Sequence, residues 1–292
     1  MKITFGRGVS RFAVPAALSL ASTLCQAQPA PNSSTDSHVD LGGYKLFVSE
    51  AGVGMPAVVF ESGMGEDVST WNDVQPKVAS FTRTVTYDRA GLDKSDPSPQ
   101  PRTVENMTSE LHALLHAAKV QPPYILVGHS LGGAIVQLFA HNYPGEVAGL
   151  VFVDPEDGRL IDRLHSRMPE DQWQARQKAV EDSLPKLSET QRAELKGTEA
   201  SGKALAEALP LPDVPTVLLT GTLKDPGFPG NPLEQDLKLE LQNELLSHLQ
   251  HARHVLVPQS RHYIQNDAPD LVIEAIREVA GKSGSPSRPA RH

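Results

Sequence analysis

The sequence predicts an α/β fold, with a mostly parallel central sheet flanked by helices and a helical insertion. Three observations predict it. Short apolar runs alternate with segments whose apolar residues recur at helical spacing. Nearly every run ends in a loop rich in glycine, aspartate or proline. One long polar stretch, residues 155–213, carries helical periodicity and no strand-like run. Strands alternating with helices bury a parallel sheet on both faces, and such sheets bind ligands at the carboxyl ends of their strands.

The first 27 residues resemble a secretory leader. Lys2, Arg7 and Arg11 precede an apolar run from Phe12 to Leu24, and Cys25 and Ala27 offer small residues at −3 and −1 of a cut after Ala27. Export to the periplasm or the medium is the expectation. Cleavage would remove three cationic residues and no acidic one, taking the net charge from −8 to −11. It would also remove Cys25, the single cysteine, and with it disulfides, thiolate catalysis and cysteine-based zinc sites. An acidic surface disfavours nucleic acid and anionic membrane as partners. After the leader no stretch approaches the ~18 apolar residues of a membrane span, so no stable membrane association is expected of the mature chain.

Residues 28–37, "QPAPNSSTDS", read as a polar linker. "HVDLGGYKLFVSEAG" is two short strands around Gly42-Gly43, a hairpin. Ala57–Glu61 is a buried strand entering the loop "ESGMGED", and "RTVTYDRAGLDKSD" is another short strand and loop. Thr103 to Lys119 reads as a helix through Met107, Leu111, Leu114 and Leu115. Strand Tyr124–Val127, a glycine knot and a helix from Leu131 to about Tyr143 follow, then strand Leu150–Val153, ended by Pro155. In the insertion, Leu160, Ile161, Leu164 and Met168 share one helical face, Trp173, Val180 and Leu184 mark a second helix, and Ser188 with Gln191 fits a capping box for a third. Strand Thr216–Thr220, a helix from about Leu233 to Gln250, strand His254–Val257 and a helix over about Asp270–Ala280 complete the order. The core is therefore 38–154 and 214–281, and residues 282–292 read as a disordered tail.

Gly128-His129-Ser130-Leu131-Gly132 matches G-x-S-x-G with a strand entering and a helix leaving. So tight a turn needs small flanking residues and holds the hydroxyl of Ser130 out at the sheet edge. A serine needs a base. His262 lies in the loop after the last strand, at the same edge, and is the candidate; His129 is read as scaffold. A carboxylate must orient the imidazole. Asp225, in "LLTGTLKDPG", is the first candidate and Asp154, at the end of "VFVD", the alternative. The Leu131 N–H, and the Met64 N–H in the glycine loop "ESGMG", are assigned to the oxyanion.

These motifs, in order, resemble the α/β-hydrolase superfamily over about residues 38–281. "ESGMG" stands where the family's oxyanion loop stands, with Ser62-Gly63 in place of its His-Gly. "YDRAGLDKSD" is similar to its Tyr-Asp-Arg-x-Gly-x-Gly-x-Ser segment, with Asp93 for the second glycine. "GHSLGG" is similar to its nucleophile elbow, and "GTLKDP" and "SRHY" resemble the acid and histidine loops. The acid loop is one residue longer than the commonest G-x-x-D spacing, which keeps Asp154 in play. The resemblance implies that residues 155–213 form a cap over the site and that Asp88 and Arg89 are structural. It also implies a serine hydrolase working without metal or cofactor. A heavily charged cap points to a small soluble ester or lactone. The same residues can serve amides, C–C bonds or perhydrolysis, and the fold can also serve as a non-catalytic ligand-binding module.

Overall fold

A computed structural model of the chain describes Met1, residues 34–223 and residues 232–283. The chain divides into two units, Met1–Ala30 and Pro31–His292. Apart from Met1 the first lies outside the described residues, as do the expected leader and residues 28–33 of the expected linker. The second unit is built on one eight-stranded sheet.

The strands are β1 (Thr35–Asp40), β2 (Lys45–Ala51), β3 (Ala57–Glu61), β4 (Thr84–Tyr87), β5 (Tyr124–His129), β6 (Val147–Val153), β7 (Thr216–Gly221) and β8 (Ala252–Val257). Their order is β1-β2-β4-β3-β5-β6-β7-β8. β1 pairs antiparallel with β2 and β2 with β4; all other pairs are parallel. The chain lays β4 on one side of β3 and then returns to lay β5 on the other. The order reverses there, so a crevice opens at the carboxyl ends of β3 and β5.

Helices cover both faces. α2 (Val104–Ala117) and α3 (Leu131–Asn142) bury Met107, Leu111, Leu115, Ile135 and Phe139 against one face. α1 (Gln75–Ala79), α9 (Ile264–Asp267) and α10 (Pro269–Ser283) bury Val78, Ile264, Val272 and Ile276 against the other. Alternation along β5 divides Leu126 from Ile125 and Val127 between the two cores.

The polar stretch forms α4 (Leu160–Arg167), α5 (Glu170–Ser183), α6 (Glu189–Ala200) and α7 (Gly202–Glu207), with no strand. Leu164, Met168 and Trp173 pack on Leu237 of α8 (Pro232–Ser247). The capping box is made: Gln191 N–H donates to Ser188 Oγ at 3.1 Å and Ser188 N–H to Gln191 Oε1 at 2.9 Å.

Two expected boundaries are corrected. β1 starts at Thr35, so residues 35–37 of the expected linker are strand. Its residues are polar and mostly exposed, and it is held by pairing with β2 and by Ser49 Oγ donating to Asp36 Oδ1 at 2.7 Å. α10 runs to Ser283, into the expected tail, because Ser283 Oγ donates to the Ala148 carbonyl at 2.8 Å. The rest of that tail lies outside the described residues.

α6 is tied to the core by a buried charge network rather than an apolar face. Arg89, 1 % exposed, donates Nε and Nη2 to Glu194 of α6 at 2.8 and 3.0 Å and Nη1 to Glu61 at 2.9 Å. The Tyr87 hydroxyl donates to the other Glu61 oxygen. Burial pushes the Glu61 carboxyl up and Arg89 offsets only part of that. One guanidinium is therefore shared between two buried carboxylates, and removing it strands both. Arg89→Met is expected to cost about 3–5 kcal/mol in urea-induced unfolding, against about 0.5 kcal/mol or less for the exposed pair partner in Lys178→Met. Equal effects of the two substitutions would contradict this anchoring.

Candidate active site

β5 delivers Ser130 to the carboxyl edge. Its backbone sits at φ 51°, ψ −119°, a region that L side chains rarely occupy. The Ser130 N–H donates to the Val153 carbonyl at 3.2 Å, and its own carbonyl accepts from Gly133 and Glu156 N–H groups at 2.9 and 3.0 Å. These bonds clamp the turn between β6 and the first turn of α3. A Cβ at Gly128 would overlap the Gly132 carbonyl, and one at Gly132 would overlap the Glu61 carbonyl. Glycine at 132 thus lets the elbow press directly on the loop after β3.

That loop places Met64. The Gly63 N–H is taken by Glu66 Oε2 at 2.8 Å and the Gly65 N–H by Glu194 Oε2 at 2.8 Å. The Ser62 and Gly63 carbonyls are each held by Arg89 at 2.6 Å. Among the described residues, the Met64 N–H between them has no protein acceptor. The Leu131 N–H, first in α3, has no helical acceptor by its position. Ser130 itself stands at the N-terminus of α3, whose dipole favours negative charge. Ser62, at the place of the family's histidine, accepts from Trp71 Nε1 at 3.0 Å, and Trp71 is fully buried against Phe60.

His262 follows β8 and its Nδ1 lies 2.7 Å from Asp154 Oδ2. Asp225, the first-named acid, lies outside the described residues. Among the described residues, the carboxylate that meets His262 is the alternative, Asp154, which immediately follows β6 and is fully buried at φ 45°. Gly221 N–H donates to Asp154 Oδ1 at 3.2 Å. Lys238 Nζ from α8 lies 2.9 Å from both of its oxygens. Burial raises the Asp154 carboxyl, but the His262 hydrogen bond and the Lys238 charge outweigh it and hold it below the ordinary range.

His129 is fully buried and bridges two loops of the site. Its Nε2 donates to the His262 carbonyl at 3.1 Å, and Nδ1 faces Glu66 Oε2 at 3.0 Å. Burial raises the Glu66 carboxyl, while the His129 hydrogen bond and the Gly63 N–H bring it below its usual value. The residue next to the nucleophile candidate therefore joins the oxyanion loop to the histidine loop. Asp88 is a loop clamp: its Oδ1 accepts from Val68 N–H at 2.9 Å.

Three contributors escaped the sequence reading. Lys238, Glu66 and Glu194 each lie in a charged or glycine-rich stretch that reads as solvated surface. Glu66 carried a faint signal, as an acidic residue just after the glycine loop.

Lys238 gives a sharp test. Lys238→Met takes a positive charge away from both Asp154 oxygens. The same substitution removes a cause of Asp154's lowered value. A depressed carboxyl stabilises the fold above the ordinary carboxylate range and loses that contribution as pH falls through its folded value. Acid unfolding of Lys238→Met should therefore begin at higher pH. Unchanged acid unfolding would show that Lys238 does not act through Asp154.

Known proteins share this fold. A model of the "Alpha/beta hydrolase family" matches residues 58–275. The chain is 30% identical over 227 residues to "Uncharacterized protein YqjL" of Bacillus subtilis (strain 168), covering 76% of this chain and 82% of that one. Among solved structures it is similar in fold to a putative lipase from Acinetobacter baumannii AYE, at TM-score 0.67 and 20% identity, over 87% of this chain and 93% of that one. It is likewise similar in fold to a thermophilic esterase from Thermogutta terrifontis, at TM-score 0.57 and 20% identity, over 86% and 100%. The chain belongs to the alpha/beta hydrolase family.

Proposed function

We propose that this protein is a serine hydrolase that cleaves a small soluble carboxylic ester or lactone through an acyl-enzyme on Ser130. The observation that carries the reading is the 2.7 Å contact between His262 Nδ1 and the buried Asp154, at the sheet edge where β5 holds Ser130. In this reading His262 Nε2 takes the Ser130 proton as Oγ bonds to the ester carbonyl carbon. Asp154 keeps the Nδ1 proton in place and stabilises the imidazolium. The carbonyl electrons move onto oxygen, facing the Met64 and Leu131 N–H groups. The imidazolium then protonates the departing alkoxide. Water, losing a proton to His262, attacks the acyl group and frees the acid.

The cap supports a soluble substrate. Arg159 and Arg163 meet Glu244 at 3.1 and 2.7 Å, Arg167 meets Glu240 at 2.9 Å, and Arg176 lies 3.6 Å from Glu234. Charged pairs, rather than an apolar face laid open for a lipid surface, fasten α4 and α5 to α8. The fold neighbours described as a lipase and an esterase are consistent with acyl chemistry.

The test is hydrolysis of p-nitrophenyl esters of rising chain length. Ser130→Ala is expected to lower kcat by about three orders of magnitude or more. Asp154→Asn is expected to lose about two to four orders of magnitude, and Asp225→Asn less than about threefold. Rates should fall as the acyl chain lengthens. Full activity in Ser130→Ala would refute the mechanism, and a large loss confined to Asp225→Asn would return the acid role to that residue.

A further inference from the structure

Far from Ser130, α2 carries His112 and His116 one turn apart on the same side of the helix. Glu146, the last residue of the turn Pro144–Glu146 that leads into β6, faces them. His112 Nε2 and His116 Nε2 are 3.0 Å apart, and they lie 3.1 and 3.5 Å from Glu146 Oε1. Metal bonds of about 2.0–2.1 Å to nitrogen and oxygen in a tetrahedron separate neighbouring ligand atoms by about 3.3 Å. The three atoms already stand at nearly that spacing.

Three further features fit a ligand set. Both imidazole Nε2 atoms converge on one oxygen of Glu146, and neutral imidazole nitrogen is a common metal ligand. His112 is held rigidly, stacked on Tyr143 with ring centroids 3.8 Å apart and planes 4° from parallel. Glu146 Oε2 is buried with no hydrogen-bond partner among the described residues. The group remains open to solvent, since the His116 side chain is 54% exposed.

We propose that His112, His116 and Glu146 bind one zinc ion, with water completing the coordination, as a clamp between α2 and the turn after α3. Two imidazoles and one carboxylate suit a borderline divalent transition metal rather than magnesium or calcium, which prefer all-oxygen sites. The role is structural by position. Glu146 precedes β6 and Asp154 follows it, and the seven-residue strand between them separates the two by about 26 Å. The clamp sits at the opposite edge of the sheet from Ser130 and is independent of the reaction proposed there.

Untagged full-length protein, stripped with EDTA and dialysed, is titrated with zinc chloride by calorimetry and followed by thermal melting. The expected results are one zinc per chain and a rise in Tm of about 5 °C or more at a hundredfold excess over Kd. His116→Ala and Glu146→Gln should each weaken binding by at least about tenfold and abolish most of the Tm rise, while ester hydrolysis stays at the wild-type rate. Magnesium and calcium should have no such effect. The proposal is overturned if zinc leaves the wild-type Tm unchanged, if the rise survives in both variants, or if magnesium or calcium reproduces it.

Discussion

Ser130 holds a backbone conformation that costs on the order of 1–3 kcal/mol for a residue with a side chain. The surroundings must impose it, and much of the molecule is arranged to do so. β6 takes the Ser130 N–H, α3 begins on its carbonyl, and the absence of a Cβ at Gly128 and Gly132 lets strand, helix and oxyanion loop converge. With the turn fixed, the hydroxyl and the Leu131 N–H have fixed directions. The remaining site residues have only to be brought to that edge.

Buried polar bonds bring them there. Arg89 holds two carbonyls of the loop after β3, and Glu194 of α6 and Glu66 hold the N–H groups on either side of Met64. His129 passes from Glu66 to the carbonyl of His262, and Lys238 from α8 rests on Asp154. Cap, oxyanion loop, histidine loop and acid thus share one connected set of hydrogen bonds. Such a network is worth most when every member is satisfied, because an unpaired group at this depth carries its full desolvation cost. The cap helices, with few apolar residues, owe their seat to Glu194 and the Arg–Glu pairs on α8 as much as to Leu164, Met168 and Trp173.

What could be read from residues alone follows from how each feature writes itself into the chain. β5 and β6 are apolar runs and the elbow is a run of small residues, so both are visible locally. The start of β1 is not, because Thr35–Ser37 are polar and are held as strand only through pairing with β2. The short helices α1, α7 and α9 are too brief for periodicity to register. The acid is a different case. Asp154 and Asp225 both follow strands, so local pattern does not separate them, and the 2.7 Å contact of His262 with Asp154 is a long-range feature with no local signal. Lys238, Glu66 and Glu194 are charged residues whose burial partners lie far away in sequence, and no local pattern separates them from solvated ones.

In the proposed reaction Ser130 is a nucleophile activated through His262 and Asp154. Covalent labelling measures this directly, without knowledge of the natural substrate. The chain is treated with a fluorophosphonate, digested and mapped by mass spectrometry, with labelling rates compared across variants. A single adduct is expected on Ser130, absent in Ser130→Ala and formed at least about a hundredfold more slowly in Asp154→Asn. No adduct on Ser130, or undiminished labelling in Asp154→Asn, would contradict it.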